Sequence, residues 1–190
     1  MKIGLLFGSF NPIHIGHLLL ATYIREEARL DEIWFIVSPL NPFKQKSDLE
    51  NELHRLEMVK IAVKDVEYFK VNDIEFSLPK PSYTHQTLKK LSADYPGYSF
   101  NLIIGQDNLG SFKEWKEVDW ITKNYKIHVY NRTGQSITNT PKEFCLYNLP
   151  AFDISATEIR KRINNKLPIR YFVPESVEQF IRFHKLYSDN

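Results

Sequence analysis

Cysteine is almost absent. A single residue, Cys145, excludes an intrachain disulfide, so a chain of this length must hold together through a buried apolar core. Cys145 itself sits in the apolar run 144–149 and reads as core. A dominant charge is also missing: 25 basic residues against 23 acidic leave a net +2. That is too little to require nucleic acid as an obligate partner, while small anionic ligands remain compatible. No apolar run approaches the roughly 18 residues of a membrane span. The N-terminal apolar run is too short for a secretory leader and passes straight into a polar turn. These absences give the expectation of a cytoplasmic protein with neither membrane nor nucleic acid as a partner. Internal repeats, low-complexity tracts and long linkers are lacking too, which favours a single domain over residues 1–190.

What is present is an alternation of short apolar runs and amphipathic stretches. Lys2 to Phe7 reads as a strand, the segment after the following turn as a helix to about Arg29, and Glu32 to Ser38 as a second strand. Asn51 to Asp65 has apolar residues near helical spacing, and Val66 to Asn72 is short and β-rich. Asp73 to Leu78 reads as a strand or an irregular segment. A helix opens at Ser82-Tyr83-Thr84 and ends near Pro96-Gly97, with Ser82 or Thr84 as its candidate cap. Tyr98 to Ile104, Lys126 to Tyr130 and Glu143 to Leu149 read as further strands, and Pro174 to Leu186 as a last helix. Strands alternating with helices predict an α/β fold: one doubly wound, Rossmann-like parallel sheet flanked by helices. In such a sheet ligands sit beyond the carboxyl ends of the strands.

Strand one delivers to that edge the string Gly8-Ser9-Phe10-Asn11-Pro12-Ile13-His14-Ile15-Gly16-His17. Its two histidines, three apart at a helix start, share a face beside free N–H groups and the positive end of the macrodipole, a place suited to phosphate. The alternatives are a half metal site and a plain tight turn. No third ligand stands at sensible spacing, so no metal site is assigned. Strand two delivers the two-proline loop carrying Lys44 and Lys46. The strand ending at Ile104 delivers Gly105-Gln106-Asp107, followed by a run with Trp115 and Trp120. Near the end, Ser155-x-x-Glu158 is a capping box with Arg160 one turn in.

The long string resembles the first signature of the HxGH nucleotidyltransferase superfamily, with Phe7 in place of the first of two glycines and Asn11 in place of an Asp. Ile154-Ser155-Ala156-Thr157-Glu158-Ile159-Arg160 resembles its second, with Ala156 replacing a Ser. Pro81-Ser82-Tyr83-Thr84 and Gly105-x-Asp107 followed by Trp115 resemble the bacterial nicotinate mononucleotide adenylyltransferase branch, although His85 and Gln86 depart from its pattern. The resemblance implies transfer of AMP from ATP to nicotinate mononucleotide, giving nicotinate adenine dinucleotide and pyrophosphate in NAD biosynthesis. It implies His14, His17, Lys44 and Arg160 as catalytic, and Gly8, Ser9, Phe10, His14, His17, Gly105, Asp107, Ser155, Thr157 and Arg160 as ATP-binding. Ser9, Lys44, Tyr83, Thr84 and Trp115 would hold the acceptor. Mg²⁺ would arrive on the ATP phosphates. A homo-oligomer stays open. The alternatives are another acceptor (nicotinamide mononucleotide, phosphopantetheine, or glycerol phosphate with CTP), an aminoacyl-tRNA synthetase, for which the chain is short, and a nucleotide-sensing module without turnover.

Overall fold

The computed structural model describes residues 1–40, 49–131, 141, 144–150 and 153–188. Six strands form one sheet: β1 (Lys2–Gly8), β2 (Glu32–Val37), β3 (Phe69–Asn72), β4 (Ser99–Gly105), β5 (Lys126–Asn131) and β6 (Cys145–Asn148). Every neighbouring pair is parallel, in the order β3-β2-β1-β4-β5-β6. The order reverses between β1 and β4, so a crevice opens there at the carboxyl ends of the strands. The doubly wound α/β expectation holds.

Alternation along the strands builds two cores. Leu6, Ile33, Phe35, Val37 and Ile103 face one side. There they meet α1 (Ile15–Glu27), α2 (Glu52–Val63), α6 (Ala156–Asn164) and α7 (Glu175–Phe183). Ile3, Leu5, Trp34, Ile36, Phe100, Leu102 and Ile104 face the other, against α3 (Thr84–Asp94), α4 (Leu109–Phe112) and α5 (Val118–Asn124). Strands buried on both faces read as continuous apolar runs, as these do. Among the described residues no helix is long and apolar enough to cross a membrane.

Three local points are resolved. The segment after β3 is a 3-10 turn, Ile74–Ser77. The run through Trp115 holds two helices: α4 ends at Phe112, and α5 starts afresh after Glu117, which takes a left-handed φ of 54°. Neither Ser82 nor Thr84 caps α3: the cap is Tyr83, with no side-chain bond, since the Ser82 hydroxyl is spent on Glu75.

A buried histidine crosses the sheet. Asn101 Nδ2 donates to the carbonyls of Ser99 (3.0 Å) and Ile3 (3.3 Å), so its Oδ1 is left to accept. His128 Nε2, 3.2 Å away, must therefore carry the proton, and Nδ1 accepts from the Tyr147 hydroxyl at 3.0 Å. Burial, reinforced by Lys126, holds this neutral ring's pKa down to about 4. An unfolded histidine titrates near ~6.5. Between those values the unfolded chain binds a proton that the native state refuses. Stability from this site is thus complete above pH ~6.5 and falls as the pH drops, by on the order of 3 kcal/mol near pH ~4. His128→Gln is expected to flatten that slope in urea unfolding between neutral and acid pH. An unchanged slope would place the acid sensitivity in other groups.

Candidate active site

β1 ends at Gly8 and hands the chain to a turn in which Phe10 adopts a left-handed φ of 45°. The Phe10 ring is buried against Phe35 and His17, with centroids 5.7 and 5.1 Å away. What this residue can offer a ligand is therefore backbone. His14 caps α1 in extended conformation, and His17 is the third residue of the helix. Their rings stack with centroids 3.7 Å apart and planes at 27°. The His14 N–H donates to His17 Nδ1 at 3.3 Å. That nitrogen must hold a lone pair, so the neutral ring carries its proton on Nε2 as a donor. Gly16 has a steric reason: a Cβ there would lie 3.1 Å from His14 Nδ1 and 3.2 Å from its Cε1. A side chain there would press on the His14 ring and require it to give by a few tenths of an ångström.

The second signature is bonded to the first. Ser155 caps α6, its Oγ accepting the Glu158 N–H at 3.1 Å. Arg160 Nη1 donates to the Asn11 carbonyl at 2.8 Å, and Nη2 lies 3.4 Å from Thr157 Oγ1. Asn11 is buried, and its Oδ1 accepts the Glu50 N–H at 3.1 Å. An amide accepts this bond as an Asp would, so the substitution keeps the turn's tie to the start of α2. Arg160 retains further donors beside the exposed Ser155 and Thr157.

A cavity of about 370 Å³ occupies the crevice between β1 and β4. Gly8 and Gly105 line it from the strand ends, Tyr83 and Thr84 from the start of α3, and Trp115 from the segment before α5; Phe7 adds an aromatic wall. Trp115 is half-buried, its ring 5.1 Å from Phe112, and its indole N–H has no partner among the described residues. Trp120 packs on the same core yet does not line the cavity; Lys89 and Tyr125 cover it instead. Lys116 Nζ sits 3.8 Å above the Tyr83 ring. A Cβ on Gly105 would collide with the Asp107 carboxylate, so the glycine makes room for that side chain, exposed in the 3-10 turn Gln106–Asn108. The histidines line a separate, much smaller recess with Asn131 and Ile154, and Tyr130 lines both spaces. Ser9 is buried, and its Oγ has no partner among the described residues. Lys44 lies outside the described residues.

Two side chains that shape this edge escaped the sequence reading. Arg55 is 1% exposed and donates to four carbonyls: Ser9 (2.6 Å), Ser38 (2.8 Å), Pro39 (2.8 Å) and Glu50 (2.9 Å). It ties the ends of β1 and β2 to the start of α2. Burial works against its charge. The available signal was a charged residue within the apolar stripe of α2, three and four places before Met58 and Val59. Glu75 is 2% exposed and lines the large cavity. Its carboxyl accepts from Ser82 Oγ at 2.7 Å and Thr87 Oγ1 at 2.8 Å. Burial pushes it above the ordinary carboxylate range, with the hydroxyls of Ser82, Thr87 and Ser38 pulling the other way.

The sequence model of the cytidylyltransferase-like family matches residues 5–162. A probable nicotinate-nucleotide adenylyltransferase of Cytophaga hutchinsonii is 47% identical over 191 aligned positions, covering 100% of both chains. One from Flavobacterium psychrophilum is 41% identical, covering 98% of this chain and 99% of its own. The fold is similar to that of the Plasmodium falciparum nicotinic acid mononucleotide adenylyltransferase solved with NaAD, at a TM-score of 0.79 and 21% identity, covering 98% of this chain and 97% of that one.

Proposed function

The chain belongs to the cytidylyltransferase-like family and, within it, to the nicotinate-nucleotide adenylyltransferases, and from that membership we propose that it joins ATP and nicotinate mononucleotide into nicotinate adenine dinucleotide, acting in the cytoplasm as one nucleotidyltransferase unit over residues 1–190. The acceptor phosphate attacks the α-phosphorus of ATP. A new P–O bond forms there, the bond to the β-phosphate oxygen breaks, and pyrophosphate leaves with the electron pair. The attacking oxygen is already anionic, so no side chain need serve as nucleophile or base. What the chain contributes is alignment and donors for the charge building on the leaving group.

The observation that supports this reading most is the joining of Tyr83, Thr84 and Trp115 to Gly8 and Gly105 in one cavity at the β1/β4 crevice. Acceptor-type and nucleotide-type residues meet there, and Tyr130 also lines the smaller recess beside the starts of α1 and α6. His17 Nε2–H and Arg160 would face the outer phosphates, with the backbone of Gly8–Phe10 under the nucleotide. Asp107 would accept from ribose hydroxyls, Ser155 and Thr157 would bond phosphate oxygens, and Lys44 would add a cation from the loop after β2. Among the described residues no three His, Cys, Asp or Glu side chains converge. That donor set suits a Mg²⁺ carried on the triphosphate with most of its waters rather than one caged by protein. When bound, the ion would neutralise phosphate charge. Pyrophosphate release against nicotinate mononucleotide, nicotinamide mononucleotide, phosphopantetheine, and glycerol phosphate with CTP tests the assignment. Release with another of these acceptors but not with nicotinate mononucleotide would refute it.

Arg160→Ala is expected to weaken ATP by about tenfold while changing AMP much less, since charge-assisted bonds to the outer phosphates are lost. Calorimetric titration of both nucleotides decides this. Equal losses would confine Arg160 to its bond with the Asn11 carbonyl.

A further inference from the structure

We propose that Glu75 is a positioning residue of the acceptor pocket: its carboxyl group clasps Ser82 and Thr87 and so fixes the first turn of α3 at the place where the acceptor's ring carboxylate docks. This deepens the reaction proposed above and rests on it. Glu75 sits on the 3-10 turn after β3, outside every motif of the family signatures. Among the described residues no Lys or Arg pairs with it; hydroxyl groups bond it instead. A carboxyl buried this way is costly to desolvate, and an apolar side chain would fill the same space at less cost. Packing therefore does not account for an acid at this position.

Geometry supplies a reason. Ser82 immediately precedes the cap Tyr83, and Thr87 lies one turn into α3. The first N–H of the helix to find a helical acceptor is that of Gln86, on the Tyr83 carbonyl at 2.9 Å. The N–H groups of Thr84, which lines the cavity, and of His85 precede that bond, so they have no acceptor within the helix. One carboxyl oxygen takes each hydroxyl, which sets the height and rotation of that turn. Ser38 brings a third hydroxyl from the end of β2. Further along, α3 is anchored separately by Leu88 and Leu91 in the core. Loss of the clasp would leave the helix seated and its first turn free to pivot.

The test is steady-state kinetics of the full chain with both substrates, alongside thermal melts. Glu75→Ala is expected to raise the acceptor KM about tenfold, the worth of the lost hydrogen bonds. The ATP KM should stay within about twofold, since its contacts lie elsewhere. Glu75→Gln, which can still accept one hydroxyl bond and donate another, should recover most of the loss. Thr87→Val should raise the same KM in wild type and add nothing in Glu75→Ala, because the two act through one contact. Equal rises in both KM values, an unchanged acceptor KM, a fall marking the carboxyl as a repelling charge, or additive effects of the two substitutions would each overturn the inference. If Glu75→Ala does not fold, Thr87→Val and Ser82→Ala carry the same KM comparison. A wild type inactive with nicotinate mononucleotide overturns the reaction and this inference together. An active wild type with a non-selective Glu75→Ala overturns this inference alone.

Discussion

His17→Ala should lose on the order of 10²–10³-fold in kcat while the affinities for ATP and acceptor change far less. The reason lies in how the ring is held. The His14 N–H occupies Nδ1, which leaves Nε2–H as the one donor of the neutral ring. Stacking on His14 and the edge contact with Phe10 fix where that donor points. A donor fixed before reaction and aimed at charge that develops on the leaving pyrophosphate acts mainly in the transition state. His14→Ala is expected to be comparably damaging, because it removes the other face of the stack. Single-turnover rates in the folded variant check this. A His17→Ala enzyme with wild-type kcat would remove the ring from the chemistry and leave it as packing at the start of α1.

The second large effect concerns the acceptor. Wild type is expected to use nicotinate mononucleotide over nicotinamide mononucleotide by on the order of a hundredfold in kcat/KM, the ~3 kcal/mol of bonding a carboxylate gains and an amide forfeits. The N–H groups at the start of α3 that lack a helical acceptor, with its positive dipole end, would reward an anion, and an amide would have to turn its own donor away from them. Trp115, which lines the cavity, would stack on either ring and so add affinity without discrimination. Trp115→Ala should therefore raise KM for both acceptors by about tenfold, a typical value for one stacked base, and leave the ratio largely intact. Equal use of the two acceptors by wild type would remove the argument from the helix start. An unchanged KM in Trp115→Ala would return that indole to the company of Phe112.

The sheet was legible in the sequence because buried parallel strands are continuous apolar runs, and the signatures were legible because each is a local string. What was not legible is what depends on partners far along the chain. The Phe10 ring turns into the core because Phe35 and His17 wait there, while its place in the motif suggests a ligand contact. Ser82 has the composition of a helix cap, yet Glu75 takes its hydroxyl. Arg55 and Glu75 are charged residues in segments that read as an ordinary amphipathic helix and an irregular link. Their burial is decided by carbonyls and hydroxyls from other elements, which no local periodicity encodes. The fresh start of α5 follows one left-handed residue, Glu117, whose carboxylate is held by Lys89 at 2.6 Å.

Transfer of the adenylyl group of ATP onto the phosphate of nicotinate mononucleotide can be followed atom by atom. The most direct measurement follows ATP labelled at its α-phosphate through a reaction with that acceptor and Mg²⁺. The label is expected in nicotinate adenine dinucleotide, with one unlabelled pyrophosphate released for each dinucleotide formed. Label that stays in ATP, or that emerges as ADP or free AMP with no dinucleotide, would contradict it.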